Sequence, residues 1–372
     1  MGRHFYVHIP FCEAKCPYCS FYSVAGSKLQ KEYFDALIKE IKNTKDEASD
    51  DPSEKDTVYF GGGTPSVPDE AYIASVLGEI ITVFNVSDAE ITIEANPHSL
   101  TAKKAIAYKK AGFNRISLGV QSLHDTTLKT LGRLHDRKTA LDAIEIIKGA
   151  GFDNISADLM TGVPGQTIED VLEDAKTLID AGITHISTYS LSIEEGTPFE
   201  KRYGTSLEDP DVEIYERQMY HTLRKILEEH SFIPYEISNS AKEGFRSRHN
   251  SSYWRGVEYY GFGAGSHGYI KGIRYGHEDD IEKYIKDPTR KIVEEKLTEE
   301  DKMAEYAMLM LRTMDGITEE GFKARFGKSI PDDIRRKMRS LIDKGLCEEI
   351  KGGICLSRKG LDLANEAFME FL

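Results

Sequence analysis

The sequence predicts an α/β fold: an open, partial (β/α)6 barrel followed by a C-terminal winged-helix-like α+β domain. Three observations carry that prediction. One pattern occurs three times, as Lys110-Ala111-Gly112-Phe113-Asn114-Arg115-Ile116-Ser117, Gly149-Ala150-Gly151-Phe152-Asp153-Asn154-Ile155-Ser156 and Asp180-Ala181-Gly182-Ile183-Thr184-His185-Ile186-Ser187, its glycines 39 and 31 residues apart. Each copy reads as a helix end, a glycine able to turn left-handed, and a strand, which is the joint of a parallel βα unit. Six strand-then-helix units can be counted before residue 231, short of the eight that close a standard barrel, so one side should stay open for a large substrate. The tail then changes character, with amphipathic helices at 299–314, 318–326 and 331–344, a two-stranded ribbon at 347–356 turning at Gly352-Gly353, and a last helix at 358–371. The expected division is 1–230 for the barrel, 231–297 for a barrel extension and connecting region, and 298–372 for the tail domain.

In order along the chain, the first strand is 4–9, ended by Pro10, and a cysteine loop follows. A helix over 28–45 puts Tyr33, Phe34, Leu37, Ile38 and Ile41 on one face. A strand at 57–60 leads into Gly61-Gly62-Gly63-Thr64-Pro65, and the next helix carries Ile73, Val76, Leu77, Ile80, Ile81 and Phe84. The third strand, 90–94, ends at Glu94 before Ala95-Asn96-Pro97, and the fourth, 116–120, precedes Gln121. Asp158 lies near the end of the fifth strand, and Ser190 and Ser192 near the end of the sixth. A helix at 210–230 completes the sixth unit. Beyond it, 233–238 reads as a strand, 248–254 as a loop and Gly261 to Gly265 as a glycine-rich crossing.

The totals bound the function. The 372 residues carry a formal net charge of −14, which keeps the chain soluble and argues against a surface built for nucleic-acid phosphates. No run approaches the roughly 20 apolar residues of a membrane span, and the first residues lack a signal-peptide core, so a cytoplasmic location is expected. Five cysteines occur, and three of them, Cys12, Cys16 and Cys19, crowd into eight residues. In a reducing compartment that spacing is metal or redox chemistry, not a disulfide framework. Cys347 and Cys355 face one another in the predicted ribbon and read as buried thiols.

Clustered thiolates select zinc, Cu(I) or iron–sulfur clusters. Three local thiols leave a four-ligand site one short. Either His8 completes a structural zinc site, or one position stays open for chemistry. In parallel βα folds, sites gather at the C-terminal ends of the strands. There the sequence places Gly61 to Thr64, Glu94, Gln121 and Asp158, with Arg133 just past the following helix. Glycines let a ligand approach the backbone, Glu94 can bind an ammonium group, Arg133 can clamp a carboxylate, and a half-buried Asp158 suits a ribose hydroxyl. Singly, each has an ordinary structural explanation. Together they describe a ligand that is amino-acid-like at one end and nucleoside-like at the other.

Cys12-x3-Cys16-x2-Cys19, with Tyr18 before the last cysteine, resembles the signature of the radical S-adenosylmethionine superfamily, and Gly61-Gly62-Gly63-Thr64-Pro65 resembles its glycine motif. The superfamily fold is an open six-unit barrel. Within it, Tyr6-Val7-His8-Ile9-Pro10-Phe11-Cys12 resembles the first strand of the oxygen-independent coproporphyrinogen III oxidase-like family, and the likeness spans nearly the whole chain. The resemblance implies that Cys12, Cys16 and Cys19 hold three irons of a [4Fe–4S] cluster, that the fourth iron takes the amino and carboxylate groups of S-adenosyl-L-methionine, and that Gly62, Gly63 and Thr64 line the methionine end. Tyr6, Glu94, Gln121, Arg133 and Asp158 match further cofactor-binding positions. It also implies an electron donor for the cluster.

Two departures separate the chain from the oxidases. Those resemble Cys-x3-Cys-x2-Cys-x-Cys, but here the last of these positions is Phe21, and they carry a long segment ahead of a motif strand that here begins near residue 4. Both features resemble the haem chaperone branch of the family, as does His249-Asn250-Ser251-Ser252-Tyr253-Trp254, which matches that branch's His-Asn-x-x-Tyr-Trp motif. That branch implies binding of haem, with His249 as an axial ligand and Tyr253 and Trp254 against the porphyrin, and delivery to haem-acceptor proteins such as those of the respiratory chain. The alternative is oxidative decarboxylation of coproporphyrinogen III to protoporphyrinogen IX, and a third reading is a zinc-stapled DNA regulator. The third is opposed by the tail's charge, 13 Lys+Arg against 15 Asp+Glu from Thr298 onward.

Overall fold

The computed structural model describes residues 2–26, 28–48, 55–204 and 210–372. The chain opens with β1 (His4–Ile9), the short β2 (Phe11–Cys12) and β3 (Val24–Ala25), and α1 (Gln30–Asn43). Then come β4 (Thr57–Gly62), α2 (Glu70–Phe84), β5 (Glu90–Ala95), α3 (Ala102–Ala111), β6 (Arg115–Gln121), α4 (Asp125–Thr130) and α5 (Arg137–Gly149). The barrel units end with β7 (Asn154–Thr161), α6 (Ile168–Asp180), β8 (His185–Ser190), α7 (Pro198–Tyr203) and α8 (Pro210–Glu229). β9 (Ile233–Pro234), β10 (Asn239–Ala241), α9 (Arg248–Trp254), β11 (Tyr260–Phe262), β12 (His267–Ile270), β13 (Ile273–Gly276), α10 (Ile281–Lys286) and β14 (Ile292–Lys296) follow. The tail holds α11 (Glu299–Met310), β15 (Ile317–Thr318), α12 (Glu319–Phe326), α13 (Asp332–Asp343), β16 (Cys347–Ile350), β17 (Gly353–Leu356), α14 (Arg358–Asp362) and α15 (Ala364–Met369).

The main sheet has the order β11-β1-β4-β5-β6-β7-β8-β10-β9. From β11 to β8 every pairing is parallel, whereas β10 and β9 are antiparallel. The six expected strands are present and the ends stay unjoined. Residues beyond 231 add to both edges, β11 beside β1 and β10 beside β8. The three repeats explain the turns that precede β6, β7 and β8. Gly112, Gly151 and Gly182 have φ of 113°, 87° and 87°. After each, the next amide donates back into the helix, Phe113 to Tyr108, Phe152 to Ile147 and Ile183 to Leu178, at 3.1–3.3 Å. That is the Schellman closure a left-handed glycine permits. Phe113, Phe152 and Ile183 then plug the core.

The tail has its own apolar cluster, including Leu311, Phe322, Leu341 and Ile354, and its sheet has the order β15-β17-β16. Four local expectations change. The strand expected at 233–238 is reduced to β9, since Pro234 has no amide to donate to a ladder. Residues 248–254 form a helix, capped by the Ser247 hydroxyl, which accepts from the Asn250 amide at 3.3 Å. The last helix breaks at Leu363, whose φ and ψ of −116° and 36° leave the helical region. Cys347 pairs with Leu356, and Cys355 with Glu348, so the two thiols do not face each other.

Candidate functional site

A cavity of about 490 Å³ opens at the strand ends. Its walls include Cys12, Cys16 and Cys19, Gly62, Gly63 and Thr64, and Glu94, Gln121, Arg133 and Asp158. Of the positions the resemblance assigns to the cluster and S-adenosylmethionine, it leaves out only Tyr6, and His249 also lies outside it. β1 and β4 place the first group. Past the strand ends the amides of Gly63 and Thr64 donate to the carbonyls of Ile9 and Phe11 at 2.9 and 2.8 Å. This continued pairing sets Cys12 Sγ 3.5 Å from Thr64 Oγ1. Side chains cannot replace the glycines. Gly62 has φ of 105°, and a Cβ there would lie 2.4 Å from the His8 ring, while one on Gly63 would lie 2.8 Å from the Ile9 carbonyl oxygen.

The donor set fits a cluster held by three thiolates. Among the described residues, no three His, Cys, Asp or Glu side chains are already drawn together as a metal cage, so the loop supplies donors and not a preformed polyhedron. The zinc alternative needed His8. Its Nε2 donates to the Tyr22 carbonyl at 3.0 Å and its Nδ1 lies 3.1 Å from the Tyr6 hydroxyl. Burial holds its pKa down to about 4, so the ring is neutral and both nitrogens are engaged.

Arg133 Nη2 donates to Asn96 Oδ1 at 2.5 Å and to the Gly119 carbonyl at 2.9 Å, and Nη1 lies 3.6 Å from Cys16 Sγ. Its Nε is buried without a protein partner, which leaves a donor for a ligand carboxylate. Asn96 Nδ2 donates in turn to Thr64 Oγ1 at 3.0 Å. Sequence reasoning passed over Asn96, although its place directly after a strand was the available signal. Gln121 has φ of 67° and sits where the β6–β7 register shifts, so a bulge re-aims its side chain at a cost in backbone strain.

Glu94 accepts from the Tyr59 hydroxyl at 2.7 Å. Burial, with the nearby Asp158 charge adding to it, raises the Glu94 pKa to about 7 despite that bond. Burial also raises Asp158, although Ser117 and Ser187 bond to it. Arg115, buried behind them, favours the charged form of both. The cavity thus offers carboxylates held at a cost, thiols, and an arginine with a spare donor, the set an amino-acid-plus-nucleoside ligand would satisfy.

A second cavity, about 840 Å³, shares Ser20 and Phe21 with the first. Tyr6, His8, Tyr22, Tyr253, Tyr259, His267 and His277 also line it. Tyr6 therefore belongs to this wall, stacked on Tyr59 at 6.3 Å. Phe21 is 66% exposed between the two spaces.

His249 lines neither cavity. It is 1% exposed. Its Nδ1 lies 2.8 Å from Thr57 Oγ1, its Nε2 lies 2.9 Å from the Tyr253 hydroxyl, and its ring stacks on Tyr59 at 5.0 Å. Glu90 anchors its backbone, accepting from the amides of Arg248 and His249 at 3.1 and 3.0 Å. Trp254 lies under the Arg312 guanidinium of the tail, 4.6 Å away, so of the motif's aromatics only Tyr253 faces the larger cavity.

Comparison with known proteins places these features. Residues 6–178 match the radical SAM superfamily, and residues 297–363 match the HemN C-terminal domain. The chain is 35% identical to the heme chaperone HemW of Bacillus subtilis, over 99% of this chain and 98% of that one. It is 37% identical to the HemW of Escherichia coli, over 71% and 69%. Among solved structures it resembles the radical SAM enzyme coproporphyrinogen III oxidase, HemN, of Escherichia coli, with a TM-score of 0.81 and 19% identity over 100% of this chain and 89% of that one. At that identity the likeness speaks for fold alone.

Proposed function

The chain belongs to the HemW family of radical S-adenosylmethionine proteins, and we propose from that membership that it is a haem chaperone, which binds haem beside a [4Fe–4S] cluster and S-adenosylmethionine and passes the haem to acceptor proteins. The observation that carries the reading is the pair of adjoining cavities, one walled by thiols and paired polar groups, the other larger and walled by aromatic rings. Cys12, Cys16 and Cys19 would hold the cluster, which when bound supplies low-potential one-electron chemistry. Arg133 Nε would take the carboxylate of S-adenosylmethionine, Glu94 its ammonium, and Asp158 its ribose. The glycines bring backbone amides within reach. An electron donor and the haem acceptors are the expected partners. Among the described residues no helix is long and apolar enough to cross a membrane.

Phe21 supports the chaperone over porphyrinogen decarboxylation. The oxidase pattern puts a thiol there, whereas here an exposed ring stands at the junction of the cavities. Anaerobic reconstitution followed by haem titration tests the reading. The expected result is a Soret shift saturating near one haem per chain and release of that haem to an apo-haem protein. Protoporphyrinogen formation from coproporphyrinogen III would favour the oxidase, and absence of any Soret change would overturn the chaperone assignment.

A further inference from the structure

Four histidines lie on or near the larger cavity. His249 and His8 have both ring nitrogens engaged, as described. His277 lines the wall, but both its ring nitrogens are buried, Nε2 2.8 Å from the Glu40 carboxylate, so neither is open to the space. His267, on β12, differs. Its side chain is 60% exposed and lines the cavity, and its Nδ1 lies 2.9 Å from Glu294 Oε1. A carboxylate beside Nδ1 fixes the proton there and leaves Nε2 with its lone pair outward. This is how metal-binding imidazoles are held in tautomer and orientation.

The hairpin makes room for the pair. Gly276 stands opposite His267 in the β12–β13 ladder. A Cβ on Gly276 would lie 2.8 Å from Glu294 Oε1 and 3.2 Å from the His267 ring. So exposed a hydrogen-bonded contact contributes little to stability, and a glycine kept clear for it needs another reason. The surrounding wall suits a flat aromatic ligand. Tyr253 and Tyr259 meet edge-to-face at 4.7 Å, Tyr6 and Tyr22 flank His8, and Phe21 closes the side toward the cysteine loop. The volume of about 840 Å³ falls in the upper part of the range of small-molecule sites, about 300–1,000 Å³. Glu278 and Asp279 line part of the wall, and Glu278 is paired with Lys283 at 2.9 Å and Arg290 at 3.4 Å.

We propose that haem binds in this cavity with His267 Nε2 on its iron, Glu294 acting as the positioning residue for that imidazole. The assignment rests on the haem-chaperone reading but concerns a different residue from the His-Asn-x-x-Tyr-Trp motif. The test is haem titration of the full chain as wild type, His267→Ala and Glu294→Gln, followed by Soret absorbance and low-temperature electron paramagnetic resonance. His267→Ala should melt as wild type does, lose at least tenfold in haem affinity and lose the histidine-ligated signal, and added imidazole should restore that signal. Glu294→Gln should keep the ligation but weaken binding by a few fold. A wild type that binds haem with an unaltered spectrum in His267→Ala overturns the assignment and leaves the chaperone reading standing. A wild type that binds no haem overturns both.

Discussion

The smaller cavity carries its chemistry on the ends of parallel strands, whereas the larger carries it on one strand, loops, a helix of about two turns and a hairpin. In the first, each strand end contributes a side chain to one space because the parallel sheet aligns those ends, whatever their separation in sequence. In the second, Tyr6 comes from β1, Tyr253 from α9 and His267 from β12, and no single layer aligns them. The difference is one of address. A strand-end residue announces its destination by its place in the unit, but a loop residue does not.

If the two cavities are separate sites, the largest effect falls on one of them alone. Cys16→Ser should abolish the iron–sulfur absorption of the reconstituted protein while leaving haem affinity within about threefold of wild type, a difference below about 0.7 kcal/mol. Iron analysis and haem titration on the same preparation check it, and loss of haem binding along with iron would break the separation. Next in size is His249→Ala. It removes a buried ring that bonds Thr57 and Tyr253, and should cost about 2–4 kcal/mol of stability in denaturant unfolding. Haem affinity of the folded fraction should change little. A variant of wild-type stability that cannot bind haem would return His249 to the haem site.

That contrast also governs what could be read without coordinates. The barrel was legible from three glycines and a count of strands, and most of the wall of the smaller cavity from strand ends, because both follow from the geometry of the repeat. Residues 248–254 were not, since seven residues hold too little periodicity to reveal a helix or its inward face. His249 consequently gave no sign in the sequence of joining α9 to β4, as its contacts with Thr57 and Tyr59 do. Tyr59 was hidden for another reason: it alternates along a strand like any core aromatic, and only the fold brings its hydroxyl to Glu94. His267 had no signal but its own identity, because the partner that frees its Nε2 is 27 residues away.

Titration sharpens the comparison because Glu94, in the smaller cavity, and His249, behind Tyr253 of the larger, respond to pH with opposite sign. The folded pKa of Glu94, about 7, lies above the ordinary value of 4.5. The native chain therefore holds this proton more tightly, and its contribution to stability is full below pH 4.5 and lost as pH rises toward 7. The loss should be about 3 kcal/mol. His249 is held well below its ordinary 6.5 by burial. Its contribution is full above pH 6.5 and lost as pH falls. Unfolding of the apo-protein at successive pH values should show Glu94→Gln gaining on wild type between pH 4.5 and 7, and His249→Asn gaining on it as pH drops below 6.5. Parallel profiles for wild type and either variant would mean that the corresponding group does not titrate in the folded chain as its burial requires.

Phe21 tests the boundary itself, with the smallest effect on the fold. Its ring is largely in solvent, so Phe21→Ala should change stability by less than about 0.5 kcal/mol. A ligand packed against the ring would remove its remaining apolar face from water, and at about 25 cal/mol per Å² the loss of some 40–60 Å² of contact is about 1–1.5 kcal/mol, or close to tenfold in affinity. Because Phe21 lines both cavities, the ring should register in both titrations, haem and S-adenosylmethionine, unlike Cys16 or His267. If Phe21→Ala weakens only one of them, the ring belongs to one site and the spaces touch without sharing a wall. If it weakens both, the next measurement is haem affinity with and without saturating S-adenosylmethionine. Coupling present in wild type and lost in Phe21→Ala would make this ring the physical contact through which one occupant senses the other.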